Sequence, residues 1–168
     1  ILGSSPDSAR LAAELGLPYG VALFINPQFD PHIIGLYKKH FKPSAQCSEP
    51  KVMLSTQIFA ADTEDKAAAL SHAASLSFVR FVTRRGALGT ISPEEALQYR
   101  FSAEETLFVK QMSERRIVGT RNQVQEQAGE LIDVFQADEM LAVCNAYHFQ
   151  DRIRSFEIFA NAMGAARN

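Results

Sequence analysis

The sequence has only two cysteines, no long apolar run and no excess of basic residues, and each shortage excludes a class of protein. Cys47 and Cys144 lie far apart in no metal-ligand spacing, so they read as reduced thiols, not as a disulfide framework or a zinc site. No stretch approaches the roughly 18 apolar residues that span a bilayer, and Ile1-Leu2 is too short for a signal peptide; the expectation is a cytoplasmic protein with no membrane partner. Seventeen Lys and Arg against nineteen Asp and Glu leave a net charge of −2. Without a basic excess, nucleic acid is not an expected partner. Also missing are a His/Glu pair at zinc spacing, a Gly-x-Ser-x-Gly elbow, a P-loop lysine and a Gly-x-Gly-x-x-Gly turn. Metallohydrolase, serine hydrolase, nucleoside triphosphatase and dinucleotide-binding functions therefore lack support, and no metal is expected.

What is present is an ordinary globular composition, 46% hydrophobic and 21% charged over 168 residues. That length suits a single domain over residues 1–168 and falls short of a complete eight-fold β/α barrel, which takes about 250 residues. The opening Ile1-Leu2-Gly3-Ser4-Ser5 has no initiator Met and reads as the end of a strand entering a phosphate-type turn, as if the chain began mid-fold. Ser5 as cap, Pro6 in the first turn and Gly16 at the close bracket a helix, to which Leu11, Leu15 and Ala9, Ala12 and Ala13 give a face for packing. Tyr19 to Ile25 is a continuous apolar run expected as a buried strand. Asp30-Pro31 opens a helix carrying Ile33, Ile34, Tyr37 and Phe41.

Val52 to Ala60 is the next strand, followed by a long Ala-rich helix from Asp62 or Thr63 to about Thr83. Arg84 to Thr90 interrupts the pattern, and Ser92 and Ser102 open two short helices, the second with a Glu105 capping box. Gly119-Thr120 caps a helix with Val124, Leu131, Val134 and Phe135 inward. Met140 to Cys144 is the last strand, and Ile153, Phe156, Ile158 and Phe159 mark a final helix from about Asp151. Four strand-helix units with apolar strands indicate an α/β fold with a parallel sheet covered by helices. Half of a β/α barrel and a small open doubly wound sheet both satisfy this order.

In parallel α/β folds ligands gather at the carboxyl ends of strands. The loop Gly3-Ser4-Ser5-Pro6-Asp7-Ser8 joins a strand to a helix N-terminus, where unpaired amides, the helix dipole and three hydroxyls suit a phosphate. A plain N-cap is the alternative, and Asp7 places a negative charge nearby. Past the last strand, Cys144-Asn145-Ala146-Tyr147-His148 faces the same end, with His148 as a candidate for proton transfer. Phe24 reads as packing, and His32, His40 and His72, within helical patterns, read as surface residues.

The stretch from Ile1 to Pro18 resembles the segment around the fifth strand of the bacterial luciferase-like, flavin-dependent monooxygenases. Ala60-Ala61-Asp62-Thr63, Val118-Gly119-Thr120, Ala137 to Leu141 and Arg152 to Glu157 resemble further segments of that family in the right order. The resemblance implies the C-terminal half of a TIM (β/α)8 barrel, units five to eight. It also implies reduced FMN as cofactor and co-substrate, O2 and a small organic molecule as reactants, and a flavin reductase supplying the FMNH2. Gly3, Ser4, Ser5 and Ser8 match positions around the FMN phosphate, with Gly3 allowing close backbone approach. Residues 84–100 match the lid region, where the resemblance would bring Arg84 and Arg85 to an anionic flavin, while by themselves the two read as a solvated charge pair. At Leu23-Phe24-Ile25 relatives carry a small or polar residue followed by His, so a polar contact there is not inherited.

The family's active-site histidine lies in units with no counterpart here, so the isolated chain is expected to be inactive. A non-enzymatic half-barrel assembly module, binding no flavin, stands as the alternative. In either case the inward faces of the strands need a covering layer, and a homodimer or higher oligomer is expected.

Overall fold

The structure, a computed structural model, describes residues 1–83 and 89–164; Arg84 and Arg85 fall outside the described residues. Five parallel strands, β1 (Leu2–Gly3), β2 (Tyr19–Ala22), β3 (Val52–Ala60), β4 (Ile117–Gly119) and β5 (Glu139–Val143), form one sheet. Around it stand α1 (Pro6–Leu15), α2 (His32–His40), α3 (Glu64–Thr83), α4 (Pro93–Ala96), α5 (Ala103–Ser113), α6 (Arg121–Phe135) and α7 (Phe149–Ala162). The nine residues of β3 are the hub, pairing with β2 through Val52–Ser55, with β5 through Met53–Gln57 and with β4 through Ile58–Ala60. From β1 through β2 and β3 to β5 the order advances without the reversal that defines a doubly wound sheet, which favours a barrel-type progression.

Side chains alternate across the sheet, and the two faces have different partners. On one face Tyr19, Val21 and Leu23 join Val52 and Leu54 in a core with α1 and α2, and farther along the same face of β3 Ile58 and Ala60 pack against α6 and α7. Fully burying such a side chain contributes about 1.5–3 kcal/mol. Aromatic rings tie the first core together: Tyr19 lies 5.6 Å from Tyr37 and 6.4 Å from Phe29, which in turn lies 6.4 Å from Phe135. The Tyr37 hydroxyl donates to the carbonyls of Leu17 (3.0 Å) and Lys51 (3.2 Å), fixing α2 against the approaches to two strands. On the other face, Phe59 meets Leu70 and Ala74, so α3 crosses the sheet near its carboxyl end.

Local signals account for most element boundaries. Ser5 caps α1 with Pro6 in the first turn, and Gly16 closes it at φ 62°, where a Cβ would lie 2.2 Å from the Lys42 carbonyl oxygen. Ser102 and Glu105 form the expected capping box on α5, and Thr120 with Gln123 forms one on α6. Ser155 is fully buried in α7; its hydroxyl accepts from the Ala60 amide at 3.1 Å and donates to the Ala60 carbonyl at 2.8 Å. That single side chain satisfies both backbone groups at the end of β3.

Several sequence expectations require correction. The strand expected from Tyr19 to Ile25 stops at Ala22, whose carbonyl accepts from the amides of Ile25 and Asn26 and so turns the chain. The strand β4 was not expected, because three residues ending in glycine carry no periodicity. Leu11, Leu15, Val134, Ile153 and Phe156 are exposed where inward packing was expected. Helical spacing identifies an apolar stripe but does not supply what covers it. His72 is half-buried: its Nε2 lies 3.1 Å from the Ala96 carbonyl and its ring 5.0 Å from that of Phe101. Three helices, α3 to α5, separate β3 from β4. The expected lid region, 84–100, falls within this excursion, and its later part is fixed to α3 through Ile91, Ala96 and an Arg80–Glu95 ion pair of 2.7 Å.

Candidate functional site

Two groups of residues occupy the carboxyl end of the sheet. The first is the turn from β1 into α1. Ser8 points inward: its hydroxyl donates to the Ser5 carbonyl at 2.7 Å and lies 3.1 Å from the Tyr19 hydroxyl. Burial raises the Tyr19 phenol pKa, while its bond to Ser8 acts in the opposite direction. A Cβ on Gly3 would fall 2.2 Å from Ser8 Oγ and 2.4 Å from Ser8 Cβ. The lack of a side chain at residue 3 therefore makes room for Ser8.

Of the first amides of α1, Pro6 has none, that of Ser8 donates to Ser5 Oγ at 3.3 Å and that of Ala9 to the Ser5 carbonyl at 3.3 Å. The Asp7 amide remains, together with the Ser4 hydroxyl, while the Ser5 hydroxyl accepts from the Ser8 amide and donates to Ser8 Oγ at a long 3.3 Å, a bond it can exchange for an anion. Among the described residues the Ser4 hydroxyl has no hydrogen-bond partner, and the Ser4 carbonyl is held by Asn26 Nδ2 at 3.3 Å. Asp7 turns its carboxylate to solvent, 3.9 Å from Arg10, which offsets its charge. These donors, at the positive end of a helix, suit an anion such as the phosphate of FMN.

The second group lines a cavity of about 250 Å³, walled by Phe24 from the turn after β2, Ala74, Phe78 and Phe81 of α3 and Met112 of α5. Its polar lining includes Gln57 of β3, Arg116 just before β4 and Asn145 just after β5. Arg116 is stacked on the Phe59 ring at 5.1 Å, and its Nε donates to Gln57 Oε1 at 3.1 Å. Its Nη1 donates to the Ser71 carbonyl (3.1 Å), Ser71 Oγ (3.0 Å) and Ser75 Oγ (2.9 Å). Desolvation pulls its pKa down to about 10, which leaves it charged at neutral pH. Sequence reading missed this residue; the only signal was an Arg-Arg pair next to a short apolar segment.

Phe24, expected as packing, is half-buried on the cavity wall, and the packing at that turn comes from buried Leu23. The structure does not bring His148 into the cavity lining. It is exposed, with Nε2 4.0 Å from Glu94 Oε2 and its ring edge-on to Tyr147 at 4.9 Å.

The family model for luciferase-like monooxygenases matches residues 1–156. The chain belongs to that family. It is 36% identical over 163 residues to the uncharacterised protein YvbT of Bacillus subtilis, covering 96% of this chain and 48% of that protein. It is 33% identical to a luciferase-like monooxygenase of Escherichia coli, covering 94% of this chain and 47% of the relative. Among solved structures, apo-MsnO8 aligns over 99% of this chain and 51% of its own, with a TM-score of 0.82 and 25% identity. The coenzyme F420-dependent tetrahydromethanopterin reductase of Methanopyrus kandleri shares the fold at a TM-score of 0.58 and 18% identity, over 96% of this chain and 48% of its own. The chain thus spans about half the length of the curated relatives it matches, and its parallel α/β sheet corresponds to half the length of luciferase-like barrel structures.

Proposed function

We propose that the chain supplies the flavin-phosphate loop and one wall of the substrate cavity of a luciferase-like monooxygenase that uses reduced FMN and O2. The observation that carries this is the β1–α1 turn, where Ser8 is committed inward, the Ser4 hydroxyl and the Asp7 amide remain to receive an anion at a helix N-terminus, and the Ser5 hydroxyl is held only by a long 3.3 Å bond to Ser8 Oγ that an anion can replace. When bound, reduced FMN supplies the oxygen-activating chemistry, so the protein needs no nucleophile of its own. The residues of this chain bind and orient. Ser4 and Ser5 hold the phosphate, Ser8 and Gly3 fix the shape of the turn, and Phe24, Phe78 and Phe81 give the cavity its apolar wall. A small organic molecule is the substrate and a flavin reductase the source of reduced cofactor.

The test is Ser5→Ala titrated with FMN and with riboflavin. Loss of a hydroxyl that donates to a charged phosphate weakens FMN by about 1–2 kcal/mol. Riboflavin, lacking the phosphate, is unaffected. Equal losses for the two ligands would make the turn a helix cap and nothing more, with about 1 kcal/mol of stability as its whole contribution.

A further inference from the structure

Charges drawn away from water in folded proteins are usually both hydrogen-bonded and paired, and the half-buried guanidinium of Arg116 is hydrogen-bonded without being paired. Its partners Gln57, Ser71 and Ser75 are all neutral, and among the described residues no carboxylate faces it. Nε and Nη1 are committed, whereas Nη2 has no partner among the described residues. Gln57 transmits this polarity across the sheet. Because its Oε1 accepts from Arg116 Nε, its Nε2 faces Asn145 Oδ1 at 3.4 Å, and the Asn145 amide nitrogen is left to donate elsewhere. Two sets of N–H donors, one of them charged, thus line a cavity whose remaining walls are largely Phe24, Ala74, Phe78, Phe81 and Met112.

We infer that this cavity binds a small organic acid, its carboxylate received by Arg116 Nη2 and Asn145 Nδ2 and its apolar body by the phenylalanine wall. Naming that acid as the substrate rests on the monooxygenase proposal above; the anion site itself does not. A neutral chain of the same length leaves the guanidinium unpaired, so it binds more weakly. An amine places like charges together, so it is excluded.

The test uses the full 168-residue chain with hexanoate, 1-hexanol and hexylamine as probes, followed by calorimetry and by NMR of the Asn145 side-chain amide. Hexanoate is expected to bind at least about tenfold more tightly than hexanol and to shift the Asn145 amide signal, with no binding of hexylamine. Arg116→Gln and Asn145→Ala each lower hexanoate affinity and leave hexanol affinity unchanged. If Arg116→Gln does not fold, the wild-type probe series and Asn145→Ala, at an exposed position, still decide the matter. Equal binding of hexanoate and hexanol, or a hexanoate affinity untouched by Asn145→Ala, overturns the proposal.

The anionic ring of reduced riboflavin tests the other source of negative charge. If it shifts the Asn145 signal and excludes hexanoate, the cavity serves the cofactor and the organic-acid assignment falls. Ser5→Ala separates the two proposals, because it leaves hexanoate binding unchanged. If FMN fails to bind while hexanoate binds as expected, the flavin proposal is refuted and the anion site stands.

Discussion

Replacing Gly3 by Ala separates two roles for that position. If Gly3 is small so that a ligand can approach, the variant loses FMN and keeps its stability. If it is small so that Ser8 can fit, the variant loses stability first. The geometry favours the second role, because the new Cβ would lie 2.4 Å from Ser8 Cβ, about 1 Å inside ordinary contact, and neither atom can rotate away. The β1–α1 turn must then open. Overpacking of this kind costs about 1–3 kcal/mol. The displaced Ser8 hydroxyl also gives up its bonds to the Ser5 carbonyl and the Tyr19 hydroxyl, worth about 1 kcal/mol net. The expected total is about 2–4 kcal/mol, a large share of the 5–15 kcal/mol typical of a domain. Urea unfolding at constant m-value measures it. Ser8→Ala in the same background does not relieve the contact, since Cβ remains, whereas Ser8→Gly restores part of the loss. A Gly3→Ala protein within 0.5 kcal/mol of wild type, on the same scale of measurement, refutes the packing argument.

Ser155→Ala strands the buried Ala60 amide and carbonyl, so it is expected to destabilise by about 2–4 kcal/mol, read as a lower urea midpoint; a change near zero would mean that other groups satisfy β3. Arg154, donating to both Asp62 oxygens, holds the Asp62 carboxyl below its usual pKa. Its folded value is thus below its unfolded value, and the associated stability is present at neutral pH and fades as pH falls through the folded value. NMR titration of Arg154→Gln should return Asp62 toward the ordinary carboxylate range, and an unchanged titration would remove Arg154 as the cause. Leu2 and Leu141, 59% and 48% exposed on or beside the face opposite α1 and α2, lead us to expect a homodimer of the isolated chain. Sedimentation equilibrium at micromolar concentration showing a stable monomer of 18.6 kDa would contradict it.

Where local chemistry alone decides an element, the sequence was legible. Val52–Ala60 is a strand along its full expected length because apolar residues at both ends, Val52 to Leu54 and Ile58 to Ala60, and the β-branched Thr56 between them suit a central strand, and Ser5, Pro6 and Gly16 bound α1 through caps that need no distant partner. The Tyr19 run was overread because the turn after Ala22 is closed by backbone hydrogen bonds that leave no mark on residue types. The serine turn was legible as a position. The inward rotation of Ser8 was not, since it depends on Tyr19, eleven residues away. Arg116 was illegible for the same reason. Its meaning comes from Gln57, Ser71 and Ser75, which the fold brings to it from 41 to 59 residues earlier in the chain.

The central claim is that the turn after β1 receives the phosphate of a reduced flavin. Anaerobic titration of the wild-type chain with reduced FMN and with reduced riboflavin tests it most directly, because the two ligands differ only in the phosphate. The account predicts that reduced FMN binds at least about tenfold more tightly, the contribution of a few charge-assisted hydrogen bonds at a helix N-terminus. Equal affinities for the two would contradict it.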